Sequence, residues 1–203
     1  MKILCIGRNY EAHARELKNP LPAEPVVFSK PDSALLRNND PFYLPDFAKE
    51  FHHEVELVVR IGRLGKNIEE SFAHRYYEEL ALGVDFTARD LQDELRSKGL
   101  PWEKCKAFDG SAVLSGFTPK MRFADVNNIN FSLKVNGEVR QQGNTADMIN
   151  GIDRLIAYVS KYFTLKIGDL IYTGTPAGVG AVQMGDRLQG YIEEELFFDF
   201  MVK

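Results

Sequence analysis

Cysteine is scarce in this chain. Cys5 and Cys105 are the two it has, a hundred positions apart, which leaves neither a disulfide framework nor a cysteine-rich metal knuckle. A reducing, cytoplasmic setting is the expectation. The four histidines come without a Gly-x-Ser-x-Gly elbow, so a serine-hydrolase reading has little to stand on. No apolar run approaches the ~18 residues of a membrane span, and the stretch Ile3 to Ile6 stops at Gly7 and Arg8, too soon for a signal-peptide core. A soluble, unexported protein is expected. Charge of one sign accumulates nowhere. The 25 basic and 29 acidic residues are interspersed for a net charge of -4, so no electrostatic footprint for nucleic acid exists and small molecules are the expected partners. Repeats, low-complexity tracts and Gly/Ser linkers are missing too.

What is present is an ordinary globular composition, 44% apolar and 27% charged over 203 residues. That length is close to the ~100 to 200 residues of one domain and long enough to bury roughly 70% of the extended-chain surface. Residues 2–6 read as a strand. Asn9 is then a plausible N-cap for a helix through Leu17, followed by loops from Asn19 to Glu24 and from Lys30 to Phe47. In Phe51 to Gly62, Val55, Leu57, Val59 and Ile61 alternate with Glu54, Glu56 and Arg60, the period-2 pattern of a half-buried strand. A helix is expected near Ile68 to Glu79, a strand over Leu80 to Asp85, and a second helix from Thr87 to Lys98, capped by Thr87 with Asp90 as the capping-box acid. Asn136-Gly137 between two apolar-alternating runs predicts a type I′ hairpin. Ile152, Leu155, Ile156 and Val159 predict a helix over Ile152 to Tyr162, and strands are expected at Leu170 to Thr173, Arg187 to Ile192 and Leu196 to Val202. Few helices among many strands, without βαβ alternation, indicate an α+β domain with a mainly antiparallel or mixed sheet.

Alternate strand residues share a face, so Glu54 and Glu56 set two carboxylates side by side. Asp85, at the end of an apolar strand, is the best third acid. Three such oxygens suit Mg²⁺ or Mn²⁺, which take hard oxygen ligands and leave positions for water or substrate. Equally, the glutamates could solvate an outer face and Asp85 could cap the next helix. His13 and Glu16, at i and i+3, can pair on one helix face and take a proton from water, or form a surface pair of little consequence. His52 and His53 adjoin the glutamates on opposite faces, so one could support a ligand from behind. The Gly174 to Gly180 segment GTPAGVG has neither a phosphate-loop ending nor dinucleotide spacing. Its backbone N–H groups and Thr175 could hold a carboxylate or enolate oxygen, or it could be a plain turn.

Taken together these pieces resemble the fumarylacetoacetate hydrolase family over the length of the chain. The shared stretches are G-R-N-Y-x-x-H-x-x-E at Gly7 to Glu16, F-S-K-P at Phe28 to Pro31, H-H-E-V-E-L at His52 to Leu57 and D-F-T-A-R-D-L-Q at Asp85 to Gln92. They continue with K-G-L-P-W-x-x-x-K at Lys98 to Lys106, V-N-G-E-V-R-Q at Val135 to Gln141 and T-G-T-P-x-G-V-G at Thr173 to Gly180. The G-L-P-W stretch and Val84 before Asp85 look most like the acylpyruvase and oxaloacetate decarboxylase branch. The resemblance implies a homodimer and Mg²⁺ or Mn²⁺ held by Glu54, Glu56 and Asp85. It further implies that Arg8, Arg89, Gln92 and Thr175 face the substrate, with Lys106 and a His13–Glu16 dyad as catalytic groups. Cleavage of a C–C bond in a 2-oxo acid is the expected activity. A dienedioate isomerase or a sugar-acid dehydratase would use the same metal site, and a metal-binding scaffold without catalysis is the alternative of a different class.

Overall fold

The computed structural model describes residues 1–17 and 20–203. Its backbone is an eight-stranded mixed sheet, a four-stranded antiparallel sheet and a small three-stranded sheet, with a few short helices at their margins. In the large sheet the strand order is Val26–Lys30, Ile3–Gly7, Leu170–Tyr172, Val55–Ile61, Tyr77–Asp85, Ala112–Leu114 and Leu35–Leu36, with Thr118–Pro119 also on Tyr77–Asp85. Two of its pairings are parallel, Ile3 with Leu170 and Leu35 with Ala112. The four-stranded sheet is a meander of hairpins around Asn130–Val135, and the turn at Asn136-Gly137 has φ of 54° and 84°, the type I′ geometry its sequence predicts.

The large sheet is rolled. Tyr172 reaches across two intervening strands to donate its hydroxyl to the carbonyl of Val113 at 2.7 Å. Gly83 makes that crossing possible, because a Cβ there would lie 2.6 Å from the Tyr172 ring and 2.6 Å from the Val113 oxygen. Inside the roll, small or slender side chains pack together: Cys5, Ala34, Val58, Ala81 and Ala112. The other face, with Leu57, Val59, Leu80 and Leu82, packs toward Phe131, Leu133, Phe198 and Phe200 of the four-stranded sheet and Ile152, Leu155 and Ile156 of the helix Ile152–Tyr162. Each such aliphatic or aromatic residue contributes about 1.5–3 kcal/mol on burial.

Several sequence expectations are corrected. The run Phe51 to Gly62 is two strands, Phe51–His53 and Val55–Ile61, which belong to different sheets, and the second is buried on both faces rather than half-buried. The helix expected at Ile68 to Glu79 shrinks to Glu70–Ala73, because Tyr77 is taken into the core as the first residue of the strand Tyr77–Asp85, opposite Ile61. Thr87 and Ala88 pair with Phe51 and His52 as a short strand, so the helix begins at Arg89. The buried Thr87 hydroxyl has no hydrogen-bond partner there, and Asp90 instead accepts the N–H of Lys49 at 2.9 Å. Asn9 does not cap the helix Glu11–Glu16. Tyr10 precedes that helix, and the Asn9 amide donates to the carbonyls of Asn150 and Thr173 while its oxygen accepts the Asn150 N–H. The stretch read as loop from Lys30 to Phe47 contains the strand Leu35–Leu36, and the strand Val26–Lys30 was not anticipated. The other expected loop begins at Asn19, outside the described residues, and is irregular over 20–24. The helix Ile152–Tyr162 and the strand Arg187–Ile192 match their predicted spans.

Candidate active site

The break between the two strands after His53 decides where the acids go. Glu54 sits at the junction of two sheets, and its carbonyl accepts the Asp85 N–H at 2.8 Å. One step along, Glu56 pairs in register with Gly83. Glu54, Glu56 and Asp85 are 5%, 2% and 1% exposed, and each offers a carboxylate oxygen within 4.8 Å of the others. Period-2 alternation thus brings the glutamates to one face, and the neighbouring antiparallel strand supplies the aspartate.

Such a cluster cannot be buried without cations. Lys106 Nζ lies 2.8 Å from Glu54 Oε2 and 2.7 Å from Asp85 Oδ2, Lys30 Nζ lies 2.7 Å from Asp85 Oδ1, and Arg89 pairs with Glu54 Oε1. Burial works against charge on Lys106, but Asp85 and Glu54 outweigh it and hold the ammonium protonated well above its usual range. Burial would likewise raise Glu54, yet Lys106 and then Arg89 keep it well below the usual carboxylate range. Among the described residues, Glu56 accepts a hydrogen bond from the Gly174 N–H at 2.7 Å. Burial, Asp85 and Glu54 push its carboxyl well up. The donor set is oxygen only, closely spaced and short of one positive charge at Glu56, which fits Mg²⁺ or Mn²⁺ and fits softer thiophilic metals poorly.

His13, 5% exposed on the helix Glu11–Glu16, places Nδ1 3.3 Å from Glu16 Oε2. The Glu16 carboxylate also accepts the Gly178 N–H at 3.1 and 3.3 Å. Gly178 has φ of 97°, and a Cβ there would lie 2.1 Å from the Arg140 carbonyl, so the glycine is required for that close approach. Arg89 donates to Gln92 Oε1 at 2.5 Å, as their i, i+3 spacing allows. The Thr175 hydroxyl accepts from Gln141 Nε2 at 2.7 Å.

The ten residues given metal, substrate or catalytic roles by the resemblance, Arg8 included, line one cavity of about 350 Å³. Phe28 and Trp102 add an apolar wall to it, and their rings meet edge to face at 6.0 Å between centroids. Sequence reasoning gave no role to Lys30 or Gln141, although both stand in the stretches F-S-K-P and V-N-G-E-V-R-Q. Gln141 joins the small sheet to the glycine-rich loop. Its oxygen lies 2.9 Å from His53 Nδ1 and accepts the Val55 N–H at 3.0 Å, and its amide serves Thr175 and the Pro176 carbonyl. Of the two histidines beside the glutamates, His52 lines the cavity and His53 faces Gln141. Burial holds both imidazoles below their usual pKa.

Residues 2–196 match the model of the fumarylacetoacetate hydrolase C-terminal family. The chain belongs to that family. It is 45% identical over 201 residues to the mitochondrial oxaloacetate tautomerase FAHD1 of Bos taurus, covering 99% of this chain and 91% of that protein. It is 48% identical over 188 residues to the oxaloacetate tautomerase YcgM of Escherichia coli K12, covering 92% and 86%. Among solved structures, fumarylpyruvate hydrolase from Pseudomonas aeruginosa in complex with Mn²⁺ and pyruvate superposes with a TM-score of 0.94 at 37% identity, covering 100% of this chain and 89% of that one. Family membership thus agrees with the mixed, β-rich single-domain fold. The compartment is not common to these relatives, one being named mitochondrial. In the chain itself, both cysteines are free and buried, and no helix among the described residues is long and apolar enough to cross a membrane.

Proposed function

We propose that this protein is a divalent-metal-dependent enzyme acting at C3 of 2-oxo acids of the oxaloacetate and acylpyruvate type. The observation that carries the reading is the convergence, in one cavity, of three buried carboxylates, the Lys106 ammonium and the His13–Glu16 pair. Mg²⁺ or Mn²⁺ held by Glu54, Glu56 and Asp85 would act as a Lewis acid on the 2-oxo carbonyl and ease enolate formation. Lys106 adds a fixed positive charge in a dry setting, where a developing enolate oxygen is stabilised more strongly than in water. With Glu16 facing Nδ1, the imidazole of His13 keeps Nε2 for proton transfer. In tautomerisation that nitrogen takes the C3 proton, and the carbonyl oxygen gains the negative charge and then a proton. In acylpyruvate cleavage it takes a proton from the water that attacks the acyl carbonyl, and the pyruvate enolate departs. Decarboxylation of oxaloacetate reaches the same enolate without a base, since CO₂ leaves directly. Keto–enol exchange of oxaloacetate is the first reading because relatives at 45% and 48% identity carry that name. C–C cleavage is the second, supported by the Glu16-backed histidine.

The test is a panel of enolic oxaloacetate, followed by loss of enol absorbance, with pyruvate release from oxaloacetate and from acetylpyruvate, each with Mg²⁺, Mn²⁺ and chelator. Metal-dependent conversion of any one is expected. Inertness toward all of them would return the protein to a metal-binding scaffold, and turnover of an unsaturated dioate or a sugar acid instead would favour the isomerase or dehydratase alternative. A homodimer and a cytoplasmic location complete the proposal, checked by light scattering and by fractionation.

A further inference from the structure

Gln141 stands on Glu138–Asn144, an outer strand of the four-stranded sheet, yet it is 1% exposed. Its side chain turns inward, between the break at His53 to Val55 and the glycine-rich loop. That loop is drawn tightly against the strand. A Cβ on Gly143 would lie 3.0 Å from Pro176, and one on Gly178 would lie 3.4 Å from Gln141 Cγ. On its other flank the loop is fastened to the strand Val55–Ile61. The Thr173 hydroxyl donates to the Leu57 carbonyl at 2.8 Å, and the Gly174 N–H donates to Glu56.

The partners of Gln141 fix which end of its amide is which. The backbone N–H of Val55 can only donate, so the atom 3.0 Å from it is the amide oxygen. The Pro176 carbonyl can only accept, so the atom 3.0 Å from it is the nitrogen. His53 Nδ1, 2.9 Å from the amide oxygen, must then carry a hydrogen. By the same logic the Thr175 hydroxyl oxygen, 2.7 Å from the amide nitrogen, must accept. One amide hydrogen serves Pro176 and the other serves Thr175, so the nitrogen is fully used. The hydroxyl keeps its own hydrogen, for which it makes no other hydrogen bond among the described residues. Thr175 is 3% exposed and lines the active-site cavity. A threonine hydroxyl can ordinarily either donate or accept, whereas a carboxylate or enolate oxygen only accepts. Such a charged acceptor makes the stronger class of hydrogen bond.

We infer that Gln141 is a positioning residue that fixes the Thr175 hydroxyl as a donor toward the cavity, and so selects ligands presenting an oxygen acceptor there. The inference rests on the 2-oxo acid reading above and adds the residue that sets the polarity of Thr175. Gln141 does not itself line the cavity and acts through Thr175. Because it also binds the residues on either side of Glu54, it sets the place of that hydroxyl relative to the acids.

The test is calorimetric binding of oxalate, a planar mimic of a 2-oxo acid enolate, to the Mg²⁺-saturated protein. Thr175→Val should lower the affinity of wild type by about tenfold or more. Gln141→Glu keeps an oxygen for Val55 and His53 but faces the hydroxyl with a second acceptor, which turns its hydrogen away from the cavity. It too should cost about tenfold. In the Thr175→Val background it should cost about twofold or less, since no hydroxyl is left to turn. Gln141→Met loses every bond of the amide but offers the hydroxyl no acceptor, so it should lose less affinity than Gln141→Glu, and again only when Thr175 is present. A merely structural role predicts the reverse order and equal losses in both backgrounds. Either of those results, or undiminished binding by Gln141→Glu, overturns the positioning role alone. If one Gln141 variant does not fold, the cycle run with the other decides. Failure of the metal-loaded wild type to bind oxalate overturns the 2-oxo acid reading and the positioning role with it.

Discussion

Lys30 Nζ stands 2.7 Å from Asp85 Oδ1, with the two side chains 0% and 1% exposed. The same ammonium also reaches the carbonyls of Lys106 and Ser111 and the Ser111 hydroxyl. It therefore ties together the strand that carries Asp85, the short helix that carries Lys106 and the turn beyond it. A shell of carbonyls and one carboxylate lets a lysine be buried charged.

Lys30→Met should remove that tie and leave Asp85 partly uncompensated. The expected cost is about 3–5 kcal/mol of stability in the metal-free protein, measured by denaturant unfolding, and a saturating divalent ion should recover part of it. A loss below ~1 kcal/mol would mean that Lys106 alone neutralises Asp85.

Glu56→Ala should weaken metal binding more than it harms folding, because Glu56 gains little from local cations and carries raised affinity for its proton. Mn²⁺ titration followed by calorimetry should show at least a tenfold loss of affinity, about 1.4 kcal/mol. In wild type, metal at about a hundred times its Kd should add ~2.7 kcal/mol of stability, and chelator should remove it together with activity.

His13→Ala should separate the reactions. A positioned acid–base group is worth about 10²–10⁴ in rate, so acylpyruvate cleavage and keto–enol exchange should fall by that order in kcat. Pyruvate formation from oxaloacetate, which needs no base, should fall far less. Equal losses in all three would assign His13 to substrate binding.

Asp169 predicts part of the acid limb of stability. Burial would raise its pKa, but hydrogen bonds from the Lys2 side chain and from the N–H groups of Lys2 and Lys166 bring it below the ordinary value. A carboxyl with a depressed folded pKa contributes stability above its unfolded value of ~3.9 and loses it as pH falls through the folded value. Lys2 is about a third exposed, so screening limits the contribution to about 1 kcal/mol. Asp169→Asn should lower stability by that amount at pH 7 and narrow the gap to wild type below about pH 3.

The sequence by itself determined the class of fold, the hairpin at Asn136-Gly137, the helix Ile152–Tyr162 and the candidate site residues. Turn chemistry and apolar period are local properties, and the glutamates' alternation puts them on one face however the strand is later packed. Only the tertiary structure decided that this face is interior, that Glu54 marks a passage between sheets, and that Tyr77 and Thr87 belong to strands. It also decided that Lys30 and Gln141 serve the site. Their partners lie 55 and 88 positions away, at Asp85 and His53, and a pairing at that separation leaves no trace in local periodicity because it is fixed by which strands meet when the sheet rolls.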